Sequence, residues 1–228
     1  MEPAKSNKKA SDSSQRPARR SDGEETRQRI IECAGRIFAR DGYYKATSKE
    51  ICQRAGVNQA AVNYHFGSRD GVYEAVLVEA HNQLVRLEAL QAISEGHEAR
   101  DAIELFLSML VQAAQRHDDW YVKVWVREML SPSPVLKQVI VKEAMPKFEL
   151  VRRSFAEYLG CGSDTSKLYA AMMTVLAPFV FAVIGNMSPA LEYVPDKPAL
   201  SALLEELHRN ALQELDALHA RLHPAANA

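Results

Sequence analysis

Between Gln59 and His65 the sequence QAAVNYH sets two amide side chains, Gln59 and Asn63, four residues apart, with Tyr64 and His65 beside them. On a helix, residues i and i+4 share a face, so both amides point the same way. Gln and Asn can pair bidentately with the edge of adenine in a major groove. The chemistry on offer is recognition of base edges by neutral donors and acceptors. No GxSxG, P-loop, HExxH or paired-carboxylate spacing occurs in the chain, so no enzymatic activity is expected. The run His117-Asp118-Asp119 and the i, i+4 pair His219/His223 come nearest to a metal-ligand cluster. Both read as solvated helix ends, and no metal or cofactor is expected.

Such side chains need a short helix held at a fixed angle. Thr47 to Arg69 reads as two helices joined by a tight turn. Thr47 and Glu50 have the spacing of a capping box, the hydroxyl taking the Glu50 N–H and the carboxylate reaching back to the Thr47 N–H. Ile51 and Ala55 share one face. Gly56 follows the last helical residue, where a left-handed backbone favours glycine. Val57 plugs the turn, and Asn58 caps a second helix over about residues 59–65. Helix–glycine–helix turns also occur in all-helical proteins that never touch DNA, so the flanks decide.

The formal net charge of −1 hides an asymmetry. Residues 1–70 carry 14 Lys/Arg and 9 Asp/Glu, and the remainder carries 14 and 20, giving +5 and −6. A basic first third directs a polyanionic partner to the N-terminal part. Some of that excess, +3, falls in residues 1–23. This stretch is rich in Ser, Lys, Arg and Pro and poor in large apolar groups, so a disordered basic tail is expected there. Such a tail can touch DNA or simply solubilise the chain. Cys33, Cys52 and Cys161 are odd in number and form no CxxC pair. Cys33 and Cys52 occupy apolar helix positions and pack as small hydrophobes. Cys161, between two glycines in a loop, is a weaker candidate for redox sensing, since loop exposure alone does not make a thiol reactive. Reduced thiols and an N-terminus lacking an apolar signal segment point to the cytoplasm, beside the nucleoid.

The expected fold class is all-α, with an N-terminal helix-turn-helix domain over 24–70 and a helical ligand-binding and dimerisation domain over 71–228. A first helix over 24–41 presents Ile30, Ala34, Ile37 and Phe38 inward and ends at Gly42. One long helix over 69–94 would span about 39 Å and act as a connecting rod. Helices follow over 98–115, 119–130, 135–159 with a kink at Pro146, 165–185 and 199–222. Residues 168–185 carry no charge, at the lower bound for a membrane span. Pro178, several alanines and the lack of a flanking basic cluster favour a buried helix at an oligomer interface. Leu200, Leu204, Leu207, Ala211, Leu215, Leu218 and Leu222 draw a continuous stripe beside it. Together these helices expose more apolar surface than one small bundle can cover, and a homodimer through 165–185 and 199–222 uses it. For a pocket, the aromatic and Met groups Phe106, Met109, Trp125, Met129, Phe148, Met172 and Phe179 are candidates, with Arg127 or Asn186 as polar anchors. They suit an apolar or aromatic small molecule; the alternative is that they are ordinary core residues.

Over about residues 24–78 the chain resembles the tetracycline-repressor (TetR) family of bacterial transcription regulators. The resemblance rests on Phe38, the Gly42 turn, Thr47, Ile51, the Ala55-Gly56-Val57 turn, the His65-Phe66 pair and Arg69. The NQAAVNYHF wording and the pattern of the body resemble the CerR/CecR-related subgroup. The resemblance implies base contacts from Lys49, Gln59, Ala60 and Asn63, and phosphate contacts from Ser48, Tyr64, His65 and Arg69. This chain departs from the family at Asn58, where Ser or Thr is common, at Ala60 for Gly or Pro, and at Asn63 for Tyr. Asn63 is a base reader, so its operator cannot be inferred from relatives. The implied partner is a palindromic double-stranded DNA operator, bound by a homodimer with recognition helices about 34 Å apart. Repression would be released when a small-molecule effector in the C-terminal domain moves the long helix. The alternative is a DNA-binding regulator that activates, or that has no small-molecule effector.

Overall fold

The computed structural model describes residues 16–162 and 164–223. Among them are helices and their connections, and no strand. The order is α1 Arg16–Asp41, α2 Ser48–Ala55, α3 Gln59–Phe66, α4 Arg69–Leu84, α5 Leu87–Gly96, α6 Ala99–Gln115, α7 Trp120–Leu130, α8 Leu136–Val139, α9 Met145–Leu159, α10 Thr165–Asn186 and α11 Leu200–Leu222.

The expected tail and first helix meet differently from the sequence reading. Residues 1–15 lie outside the described residues, and α1 begins at Arg16 rather than at 24. The helix runs through the Ser21–Asp22 caps expected to start it, and the Thr26 hydroxyl bonds back to the Asp22 carbonyl at 2.8 Å. Ile30, Ile31, Ala34, Ile37 and Phe38 are fully buried, and α1 packs against α2, α4 and α7.

The long connecting rod is not formed. α4 stops at Leu84, and Val85 and Arg86 are extended (φ −146°, ψ 114° and φ −87°, ψ 134°) before α5 starts. Sixteen residues make a rod of about 24 Å. The break turns Leu84 and Val85 into a cavity and lets α5 lay Leu90 against the body, where it packs on α9. The segment 135–159 is likewise divided. Pro146 sits in the first turn of α9, where a missing N–H breaks no helix bond. The turn before it widens into a π segment over Ile140–Ala144, with Met145 N–H reaching the Ile140 carbonyl.

α10 and α11 pack along each other. Within α10, Leu168, Ala171, Met172, Val175, Phe179 and Val183 are buried. On its other side Tyr169, Met173 and Phe181 are exposed, Met173 by 62% and Phe181 by 70%. α10 is long and apolar enough to cross a membrane by length and composition, and 39% of its most apolar window is buried within one chain. Along α11, Leu204, Ala211 and Leu215 are buried, and Leu200, Leu207, Leu218 and Leu222 pack on the core from its edge. His219 and His223 are not solvated ends: their rings bond the Tyr158 and Leu159 carbonyls at 2.7 and 3.1 Å, capping the C-terminus of α9. Cys161 is buried despite its flanking glycines, and burial pushes its thiol pKa up, which argues against a reactive thiol.

Candidate nucleic-acid interface and the adjoining cavity

The α2–turn–α3 unit is built largely from local caps. Thr47 Oγ1 accepts from Glu50 N–H at 3.3 Å and Asn58 Oδ1 from Ala61 N–H at 2.9 Å. Gly56 adopts φ 64°, ψ 36° and returns its N–H to the Cys52 and Gln53 carbonyls. The reciprocal half of the capping box is absent. The Glu50 carboxylate goes instead to Arg40 at 2.6 Å and Arg54 at 3.6 Å. Asp41 also binds Arg40, and these two acids hold its guanidinium pKa above the usual range. Two carboxylates near the helix-turn-helix are thereby neutralised within the protein.

α3 is anchored by Val62, fully buried, and by Phe66 one turn on. An added Cβ at Gly71 would lie 2.0 Å from the Phe66 carbonyl, so glycine lets α4 start directly against the end of α3. That contact sets the angle of α3. The opposite face carries Gln59, Ala60, Asn63 and Tyr64, all exposed, Tyr64 by 85%. Gln59 Nε2 donates to Asn63 Oδ1 at 3.0 Å, and the Cys52 thiol to Gln59 Oε1 at 3.5 Å. The two amides therefore form one paired surface whose remaining donors and acceptors face out. His65 is half-buried between the Tyr64 and Phe66 rings. Lys49 is exposed at the start of α2, with Ser48 half-buried before it.

Arg69 is differently employed from the expected phosphate contact. Its Nε donates to the Ala46 carbonyl at 2.9 Å, Nη1 meets Asp70 at 3.3 Å, and the guanidinium lies 4.4 Å from the Tyr43 ring centroid. It clamps the 42–47 loop to α4. The sequence reading missed Tyr44, 74% exposed, and Lys45, exposed in the same loop without an ion-pair partner among the described residues. Their signal was position, immediately before the first cap.

At the far end of α4 lie two adjoining cavities that share His81 and Val85. The first, about 280 Å³, is walled by Leu84, Leu110, Trp125, Met129 and Phe179 among others. The second, about 220 Å³, is walled by Leu90, Phe106, Lys147, Phe148 and Leu176. Of the expected pocket residues, Trp125, Met129 and Phe179 line the first and Phe106 and Phe148 the second. Met109, Met172 and Asn186 line neither. Arg127 is no effector anchor: its Nε and Nη2 donate to the Ala39 and Arg40 carbonyls at 2.8 and 3.0 Å, tying α7 to the end of α1. The polar groups present are His81 and Lys147, which sequence reading overlooked. Burial, with Lys147 adding to it, pushes the His81 pKa down to about 4. His81 also packs on Trp125, with ring centroids 4.7 Å apart.

Residues 30–76 match the family described as bacterial regulatory proteins, tetR family. Residues 98–220 match the C-terminal domain of the HTH-type transcriptional dual regulator CecR. Over 63 residues, 28% of this chain and 30% of the relative, the chain is 41% identical to the HTH-type transcriptional regulator SrpR of Pseudomonas putida. Across the first curated relatives it matches, the chain spans only 30–52% of their length. It is 27% identical to the dual regulator CecR of Shigella flexneri over 163 residues, 67% of this chain and 73% of the relative. In fold it resembles the transcriptional regulator FadR from Bacillus subtilis, solved in complex with stearoyl-CoA. That likeness has a TM-score of 0.61 at 17% identity and covers 82% of this chain and 98% of FadR.

Proposed function

This chain belongs to the tetR family of bacterial regulatory proteins, with a CecR-type C-terminal domain, and from that premise we propose that it is a DNA-binding transcriptional regulator. One observation carries the reading. α3 is capped, anchored on its inner side by Val62, and presents Gln59, Ala60, Asn63 and Tyr64 outward on a helix short enough to lie in a major groove. Gln59 and Asn63 read base edges. Tyr64, Ser48, Lys45 and Lys49 hold the backbone, and Tyr44 joins them from the preceding loop. Lys49, exposed at the start of α2, also reaches base edges.

The protein acts as a homodimer in the cytoplasm, through the exposed faces of α10 and α11. Tyr169, Met173 and Phe181 supply apolar surface on α10 that a single chain leaves open. Two α3 helices about one turn of DNA apart then bind a roughly palindromic operator. A small molecule in the α4-end cavities releases repression. α4 touches α3 at one end and the cavities at the other, so an effector that favours one position of its last turn shifts the pair of α3 helices out of register.

The test is a gel-shift titration against the DNA upstream of the chain's own gene. The wild type binds it selectively at moderate salt. Gln59→Ala/Asn63→Ala loses the selectivity and keeps weak, salt-sensitive binding. Selectivity retained in the double variant would remove α3 as the reader.

A further inference from the structure

Resting on the effector-cavity reading above, we propose that the cavity selects an amphiphile with a single carboxylate, held by the Lys147 ammonium. Lys147 is only 4% exposed and comes from α9 into the wall of the second cavity. Its Nζ donates to Asn82 Oδ1 at 2.7 Å and to His81 Nδ1 at 3.0 Å. An ammonium has three donors, and the third has no protein acceptor among the described residues. No carboxylate lies within 4.0 Å of Nζ among the described residues, and burial pushes its pKa down, opposed only from farther away by Glu143 and Glu88. His81 is neutral near pH 7, so its Nδ1 accepts and the cluster carries one positive charge without a counter-ion.

A buried ammonium lacking a counter-ion is unfavourable unless something else supplies one. The rest of the second cavity is apolar: Val85, Leu90, Phe106, Phe148, Val151 and Leu176. A monoanionic headgroup fits one free donor. A dianionic phosphate would bring a second charge with no partner into the same apolar walls. From Lys147, an apolar tail runs past Val85 toward Trp125 and Phe179 in the first cavity. The two cavities together fall within the roughly 300–1,000 Å³ of small-molecule sites. His81 and Asn82 belong to the last turn of α4, immediately before its break. A carboxylate that competes for the ammonium therefore acts at the end of the helix that carries α3.

The position has a sequence signal. Lys147, Val151, Ser154 and Phe155 are buried on one face of α9 at i, i+4, i+7 and i+8. A lysine there interrupts a stripe that packing alone would keep apolar.

The experiment is calorimetric titration of the full-length protein with decanoate and, separately, with methyl decanoate. Wild type binds decanoate more tightly than the ester. Lys147→Met weakens decanoate by roughly 10- to 100-fold and leaves the ester unchanged. Asn82→Asp, which supplies an internal carboxylate to Lys147, also removes the preference. Lys147→Met melts close to wild type, since removing an uncompensated buried charge offsets the donors withdrawn from Asn82 and His81; a clearly lower melting temperature with both ligands equally weakened would make Lys147 merely structural and overturn the proposal. Equal binding of acid and ester, or decanoate binding unaffected in both variants, refutes the anchor and leaves the effector cavity standing. If neither compound binds, cavity and anchor fall together.

Discussion

Tyr73 on α4 and Glu128 on α7 form a buried latch between the helix that carries α3 and the body. Tyr73 is 2% exposed and its hydroxyl donates to Glu128 Oε1. The other carboxylate oxygen accepts from Ser133 N–H at 3.1 Å and Ser133 Oγ at 3.0 Å. Burial and the Glu128 carboxylate drive the Tyr73 pKa far up, so the phenol stays a donor. Tyr73→Phe deletes one hydrogen bond to a charged group and keeps the ring packed on Phe38 and Tyr43. The carboxylate retains its two Ser133 donors, so the loss is about 1.5–3 kcal/mol. Glu128→Ala leaves the Tyr73 hydroxyl and both Ser133 donors without acceptors in a buried site. At about 1–3 kcal/mol for each orphaned group, its loss is at least about 3 kcal/mol and exceeds that of Tyr73→Phe. For a chain of this size the Tyr73→Phe loss lowers Tm by roughly 3–12 °C. Urea unfolding followed by circular dichroism reads both values. Tyr73→Phe indistinguishable from wild type, or Glu128→Ala milder than Tyr73→Phe, would refute the latch.

Two further outcomes follow from the same packing. Burial and Lys147 hold the folded-state pKa of His81 at about 4, below its ordinary 6.5. Its contribution is thus full above pH 6.5 and lost as pH falls through about 4, so His81→Phe flattens the acid side of the stability profile; an unchanged slope in urea titrations between pH 7 and pH 4 would contradict this. Met173→Glu/Phe181→Glu places charge on the exposed α10 face and yields monomers in sedimentation velocity at micromolar protein, with operator binding lost; a dimer that persists would move the interface elsewhere.

The helix-turn-helix was legible because its determinants are local. Thr47, Gly56 and Asn58 act on residues three or four positions away, and sequence spacing contains that information. What the spacing missed came from distant partners. Glu50 left its capping box for Arg40, ten residues back, and no local rule ranks those two options. Arg69 and Arg127 were placed on a phosphate and an effector, yet both guanidinium groups reach backbone carbonyls 23 and 88 residues away in sequence. The α4 break escaped because apolar periodicity continues through it, from Leu77 past Leu84 to Leu87 and Leu90. Packing of α5 on α9, rather than propensity, ends the helix at Leu84. Residue type pointed to Trp125, Phe106 and Phe148, which line cavities between helices. It did not point to Lys147, because a lysine inside an apolar stripe shows its burial only once the stripe is packed.

Paired α3 helices are proposed to read a specific duplex. Fluorescence anisotropy of a labelled duplex from the region upstream of the gene, titrated with wild-type protein and competed with a scrambled duplex of equal length, tests it most directly. The expected result is two protomers per site and affinity for the upstream duplex at least about 10³-fold above the scrambled one at physiological salt. Equal affinity for both duplexes, falling with salt alike, would contradict it.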